Sequence, residues 1–338
     1  MDRTRARPPR DLRPLVILLV ALCAVALAGC ESSAPQDFLN HPEGPIARKQ
    51  DGLWDLVFAV AVAIFVIVES LLVYTVVRFR QKPGRQAAQF HGNTKVEIIL
   101  TLVPSLILAA IAVPTVKTIF ELAEEPPGAM QVTVTARQFW WEYRYEDQQV
   151  VTANELHIPV DTPIRLRLEG ADVIHSFWVP RLAGKQDVVP GRINFLTIEA
   201  DDPGEYLGQC TEFCGASHAN MRLRVYAHEQ KDFDRWLADQ QKPADVDLAS
   251  RGADLFMNGT CVNCHAIGGT DAAARTGPDL THFASRNTFA GAMFDTNREN
   301  LVSWLADPPA MKPGSLMPDY GLSNEEIDAL VEFLLSLE

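Results

Sequence analysis

The sequence predicts a multidomain chain in three parts: a two-helix transmembrane hairpin, an antiparallel β-sandwich and a small all-α domain. Three observations carry that reading. Two long apolar runs lie before residue 120, apolar and polar residues alternate with period two from about Met130 to Ala227, and helical spacing returns from Leu248. The divisions that follow are 1–29 for a leader, 30–128 for the hairpin, 129–228 for the sandwich, 229–247 for a linker and 248–338 for the last domain. A length of 338 residues accommodates them, and a formal net charge of -13 opposes nucleic acid as a partner, because phosphate binding needs clustered Lys and Arg. The acidic balance fits either a basic protein partner or a plain solvated surface.

The leader has a basic start (Arg3, Arg5, Arg7, Arg10, Arg13) and an apolar core from Leu15 to Leu27, short for a bilayer span. It ends Leu27-Ala28-Gly29-Cys30, which resembles the bacterial lipobox and implies cleavage before a lipid-bearing Cys30; the alternative is an uncleaved anchor helix. The two apolar runs, 53–77 and 96–119, hold about 24 residues each, or ~36 Å against a hydrocarbon core of ~30 Å. Between them stand Arg78, Arg80, Lys82, Arg85 and Lys95 with no acid before Glu97, which puts that loop in the cytoplasm. The N-terminus and everything after residue 120 then lie outside a bacterial plasma membrane that the chain crosses as a multi-pass protein. Glu69 falls deep in the first run with no evident partner, while Glu97 falls at the membrane interface, where a solvated role costs little.

In the second part, Val132, Val134 and Ala136, then Ile164, Leu166 and Leu168, then Ile193, Phe195 and Thr197 alternate with polar residues between turns rich in Pro and Gly. Chemistry concentrates in the run Cys210-Thr211-Glu212-Phe213-Cys214-Gly215-Ala216-Ser217-His218-Ala219-Asn220-Met221. Soft sulfur plus imidazole selects copper or zinc, and a methionine favours a copper electron-transfer site. Two thiolates four positions apart can bridge two copper ions, with His175 of Asp172-Val173-Ile174-His175 as the second imidazole. The alternative for this loop is a structural Cys210–Cys214 disulfide.

At these residues the chain resembles cytochrome c oxidase subunit II, whose dinuclear CuA motif is C-x-E-x-C-x3-H-x2-M; the resemblance spans residues 50–228 and includes Lys185-x-Asp187-x-x-Pro190-Gly191-Arg192. It implies a cupredoxin-like sandwich in which Cys210 and Cys214 bridge the coppers and His175 and His218 each bind one. Met221 and the carbonyl of Glu212 would complete the CuA site, and the Glu212 side chain would bind a magnesium ion (Mg) shared with subunit I. Glu97 matches the carboxylate at the mouth of the family's K proton pathway. The segment Gln138-Phe139-Trp140-Trp141 resembles the family's electron-input patch, usually Q-W-x-W, so Trp140 and Trp141 are candidates for that role unless they are sandwich core. Phe139 departs from the pattern, since a phenyl lacks the indole N–H.

The third part opens with Cys261-Val262-Asn263-Cys264-His265, the haem c attachment signature: two thioethers and an axial imidazole. A polar linker containing a short amphipathic helix (Phe233, Trp236, Leu237) leads to it, and Ser323-x-x-Glu326 is a capping box for a final helix. With Gly277-Pro278-Asp279-Leu280 between the helices, this part resembles a class I cytochrome c. The sixth iron ligand is then Met317 in Gly314-Ser315-Leu316-Met317-Pro318, with Met311 second and Met257 and Met293 as core. His/Met ligation favours a high potential.

Together the resemblances imply subunit II of a caa-type cytochrome c oxidase, accepting electrons at haem c and passing them through CuA to the oxygen-reducing subunit I, coupled to proton translocation. Subunit I, subunit III and an external cytochrome c or upstream respiratory complex are the implied partners. Quinol-oxidase subunits II lack the copper ligands. Two other readings stay open: the electron-input subunit of a CuA-containing nitric oxide reductase, and a membrane-anchored carrier, which the transmembrane hairpin disfavours.

Overall fold

The computed structural model describes residues 21, 23, 41–81, 83, 84, 86 and 91–338; the leader up to residue 20, Cys30, Lys82 and Arg85 lie outside the described residues. Helix α1 runs Pro45–Phe79 and helix α2 runs Thr94–Ala123, both long and apolar enough to cross a membrane. Each is longer than the apolar run that predicts it. Pro45 supplies a pre-set φ at the first turn of α1. The residues before Leu53 then serve the sandwich rather than lipid: Ala47 is buried, Ile46 packs on the sandwich core, and Arg48 pairs with Asp201. Gly44 is required there, because a Cβ would stand 2.0 Å from the carbonyl oxygen of Glu199. The Asn93 side chain caps α2 by accepting from the amides of Lys95 and Val96. At the other end the Arg165 guanidinium donates to the Ala123 carbonyl at 3.3 Å, a cation at a helix C-terminus.

The sandwich comprises β1 (Met130–Arg137), β2 (Trp140–Tyr145), β3 (Val150–Ala153), β4 (Glu155–Pro159), β5 (Ile164–Gly170), β6 (His175–Trp178), β7 (Gln186–Val188), β8 (Asn194–Ile198), β9 (Gly204–Cys210) and β10 (Arg222–His228). Its sheets have the orders β3-β2-β1-β5-β8 and β4-β10-β9-β6-β7. The predicted antiparallel arrangement needs correction: β1 pairs with β5 and β10 with β4 in parallel. Period-two burial is the same in either direction, so the sequence pattern cannot tell them apart. In β8 the alternation holds only in part. Thr197 and Ile198 are buried, whereas Phe195 is half exposed beneath the Arg165 guanidinium.

Helix α3 (Gln230–Gln240) begins directly after β10, within the predicted linker, and belongs to the sandwich core. Phe233 is buried there, and the Trp236 ring stacks on His157 with centroids 4.3 Å apart. The last part holds α4 (Arg251–Asn258), the short pair β11 (Thr288–Phe289) and β12 (Phe294–Asp295), α5 (Arg298–Ala306), α6 (Pro308–Met311) and α7 (Asn324–Leu334). It is therefore helical with one two-residue strand pair, rather than strictly all-α. Ser323 and Glu326 form the capping box of α7. At the α4–α7 crossing a Cβ on Gly252 would lie 2.1 Å from the Ala329 carbonyl, and the rings of Phe256 and Phe333 meet at 5.6 Å.

Candidate metal and haem centres

Strand β9 ends at Cys210 beside β6, where Phe177 is its register partner, and His175 begins that neighbouring strand. The loop after Cys210 turns back through a short 3₁₀ turn, His218–Asn220, to Met221 at the start of β10. Sulfur and imidazole atoms converge as a result. The Cys210 and Cys214 sulfurs are 3.9 Å apart and not joined in a disulfide. Cys210 Sγ stands 3.9 Å from His175 Nδ1 and 3.3 Å from the Glu212 carbonyl oxygen. Cys214 Sγ stands 3.6 Å from His218 Nδ1 and 3.9 Å from Met221 Sδ. His175, Cys210 and Cys214 are all buried, whereas Glu212 is exposed.

The donor chemistry fits a soft metal such as copper. Hydrogen bonding between the two thiols pushes Cys210 far down and Cys214 far up, because one ionised sulfur resists a second charge beside it. Two thiolates at this spacing therefore call for a cation. His175 Nε2 lies 2.8 Å from Asp172 Oδ1, which fixes the tautomer and turns the Nδ1 lone pair toward Cys210. Burial raises the Asp172 carboxyl, but hydrogen bonds from His175 and from the Gln138 and Val173 amides outweigh it and hold the group below its ordinary value. Sequence reasoning missed this role of Asp172; its signal was the position three residues before a ligand histidine.

In the last part, Cys261, Cys264, His265 and Met317 line one cavity of about 480 Å³ with largely apolar walls, including Phe256, Phe283, Leu301 and Trp304. Met311, the second choice for the iron, is not among its lining residues; Met257 packs on the domain core and Met293 is half buried. The His265 Nδ1 donates to the Pro278 carbonyl at 2.8 Å, leaving Nε2 free for a metal. Burial pushes this imidazole down, toward the neutral form a metal needs. Gly277 rests on the ring face, where a Cβ would come within 2.6 Å of His265 Cε1. A flat macrocycle held at two cysteines fits this cavity.

Gln138, Phe139 and Trp140 also line the haem cavity, although they belong to the sandwich. The Gln138 side-chain amide donates to the Cys214 carbonyl at 2.5 Å, and a Cβ on Gly215 would lie 3.1 Å from the Phe139 ring. These residues form the wall between the two centres. Trp141 takes the core position given above as its alternative: it is fully buried, edge-on to Phe177 at 5.3 Å and to His175 at 6.1 Å. Trp140 is buried as well, and it faces the haem cavity rather than open solvent. Glu97 lies exposed in the first turn of α2 and folds back over Gly92, whose Cβ would meet its Oε1 at 2.3 Å.

The chain resembles known proteins along nearly its whole length. Residues 33–118 match the family "Cytochrome C oxidase subunit II, transmembrane domain", residues 148–228 match "Cytochrome C oxidase subunit II, periplasmic domain", and residues 249–338 match "Cytochrome c". The chain is 36% identical to "Cytochrome c oxidase subunit 2" of Alkalihalophilus pseudofirmus over 95% of its own length and 96% of the relative's. It is 35% identical to the protein of the same name from Bacillus subtilis, over 96% and 97%. Among solved structures, the periplasmic domain of subunit II of cytochrome oxidase of Bradyrhizobium japonicum aligns with 34% of this chain and 96% of that one, at 32% identity and a TM-score of 0.34. With hairpin, sandwich and haem segments matched in the same order along nearly the whole length, the chain belongs to the cytochrome c oxidase subunit II family and carries a C-terminal cytochrome c domain.

Proposed function

We propose that this chain accepts electrons at its own haem c and delivers them through a dinuclear copper site to oxygen-reducing subunit I, in an assembly that also translocates protons. Cys261 and Cys264 would hold the haem as thioethers, with His265 and Met317 as the residues offered to its iron. His175, Cys210, Cys214, His218, Met221 and the Glu212 carbonyl would hold the copper, and the exposed Glu212 carboxylate would serve a magnesium ion shared with subunit I. When bound, the haem and the copper pair supply reversible one-electron chemistry that no side chain here can provide. The protein's own work is positional. Asp172 sets the His175 tautomer, Pro278 sets that of His265, and largely apolar walls surround the haem cavity.

The reading extends to the membrane. Helices α1 and α2 anchor the chain with both termini on the extracytoplasmic side, Glu97 stands at the mouth of a proton pathway, and Cys30 carries a lipid. Leader, hairpin, sandwich, linker and haem domain take the divisions given above, with α3 of the linker packed on the sandwich, and subunit III is a further partner. The external donor is a basic cytochrome c or an upstream complex. Its approach is supported by 12 Asp and Glu against 5 Lys and Arg from residue 248 onward, and by Leu316, 71% exposed beside Met317.

One observation carries the proposal: the copper loop and the methionine loop touch, with Ser217 Oγ donating to the Pro313 carbonyl at 2.5 Å. The test is oxygen uptake and metal content of the purified holoenzyme, with and without Cys210→Ser. The substitution should remove copper and oxygen uptake together while the covalent haem stays. Oxygen uptake that survives copper loss would overturn the proposal.

A further inference from the structure

Lys312 is 3% exposed, yet among the described residues no carboxylate pairs with it. Its Nζ donates to the Phe139 carbonyl at 2.6 Å and to the Ala290 carbonyl at 2.7 Å. The first of these acceptors belongs to the sandwich and the second to the haem domain. A buried cation without a carboxylate beside it is costly unless its donors are satisfied, so its position calls for an explanation. Burial pushes the ammonium down to about 7. Either protonation state keeps at least two N–H groups for the two carbonyls.

The surroundings are built around this side chain. Gly291, at φ +78°, leaves room for it: a Cβ there would lie 2.5 Å from Lys312 Nζ and 2.9 Å from the carbonyls of Phe139 and Asn220. The Gly291 carbonyl in turn accepts from the Arg222 amide of β10 at 3.0 Å. Two residues beyond Lys312, Gly314 sits at φ +79°, and its Cβ would meet Ala216 of the copper loop at 2.8 Å. Lys312, Pro313 and Gly314 thus lead from the sandwich wall to Met317, touching the copper loop at Ala216 and Ser217 on the way.

We propose that Lys312 is a positioning residue for intramolecular electron transfer: it clasps the methionine loop of the haem domain onto the Phe139 carbonyl and so fixes the haem against the copper loop. The inference rests on the proposed function, in which one electron leaves the haem iron and one arrives at the copper pair. Lys312 is a ligand of neither centre, although it lines the haem cavity, and it acts through the two loops it joins. Position 139 then matters to docking mainly through its backbone, since Lys312 binds the carbonyl and not the ring.

The experiment compares the wild-type holoenzyme with Lys312→Met, which keeps length and apolarity but has no N–H to donate. Two quantities are read: the rate of haem-to-copper electron transfer after flash reduction, and hydrogen exchange at the Arg222, Asn287 and Thr288 amides, each bonded across the domain boundary. Loss of a buried charge-assisted hydrogen bond should raise exchange at these amides about tenfold or more. Transfer should slow by a comparable factor, with haem and copper spectra unchanged. Wild-type exchange in the variant would overturn the inference, and so would raised exchange with an unaltered transfer rate. If Lys312→Met does not assemble, Gly291→Ala probes the same clasp from the opposite side, with the same two readouts and the same expected directions. Copper that is not reduced through the haem in the wild type would instead contradict the proposed function itself.

Discussion

The Glu155 carboxylate, fully buried in the sandwich, accepts from the Thr288 amide at 2.6 Å and the Thr288 hydroxyl at 2.7 Å in the haem domain. It also accepts from the Asn287 amide at 3.2 Å, so two domains of one chain share a satisfied buried charge. Burial raises this carboxyl, and those hydrogen bonds together with Arg286 partly restore its ionised form. Glu155→Ala would leave three donors without acceptors, at a cost of about 1–3 kcal/mol for each group left buried. The expected outcome is a lower unfolding temperature of the haem domain, followed at the haem band, with copper content unchanged. An unaltered melting profile would show that the domain boundary does not depend on this contact.

Metal retention gives a second prediction. Asp172→Asn keeps the size of the side chain but loses the carboxylate that holds His175. Loss of such an orienting partner typically weakens metal affinity by about 10- to 100-fold. Chelator titration of the copper, read by its mixed-valence EPR signal, should reveal that weakening while the haem spectrum is unaffected. Copper held as tightly as in the wild type would remove Asp172 from the site.

The axial methionine can be tested by contrast. Met317 lines the haem cavity and Met311 ends α6 away from it. Met317→Leu should leave the haem covalently attached and lower its midpoint potential, because methionine ligation raises it. Met311→Leu should leave the potential where it was. A redox titration showing the reverse pattern would reassign the ligand.

A pH dependence follows from the imidazoles packed under α3. His157 Nδ1 meets His228 Nε2 at 2.8 Å, and burial pushes both rings down, His157 well below the usual 6.5. In the unfolded chain both take up protons near 6.5, whereas the folded His157 does not. The unfolded state then binds more protons, and stability falls as pH drops below 6.5. Glu155, whose carboxyl is raised, acts in the opposite direction as pH nears the carboxylate range. Thermal unfolding between about pH 7.5 and about pH 5.5 should show the decline, and His157→Gln should flatten it. An equal slope in that variant would place the proton uptake elsewhere.

Much of the chemistry is legible in the chain because it is local. Cys210, Cys214, His218 and Met221 share one loop, and Cys261, Cys264 and His265 share one turn, so spacing alone nominates them. What escapes the sequence is set by contact between parts. Lys312 and Glu155 belong to no motif in the sequence, and both are buried and bonded where the haem domain meets the sandwich. The parallel β1–β5 and β4–β10 pairs are hidden because alternation reports faces and not direction. The early start of α1 is hidden too, since polar residues before Leu53 resemble a flank until Ala47 and Arg48 meet the sandwich.

The central claim, that electrons reach the copper through the haem of the same chain, is tested most directly by mixing the intact oxidase with a reduced basic cytochrome c. Reduction is then followed at the haem and copper bands together. The account predicts that haem reduction precedes copper reduction, and that the second step is first order, independent of donor concentration and only weakly sensitive to ionic strength. Copper reduced at a rate proportional to donor concentration, while the haem is still oxidised, would contradict it.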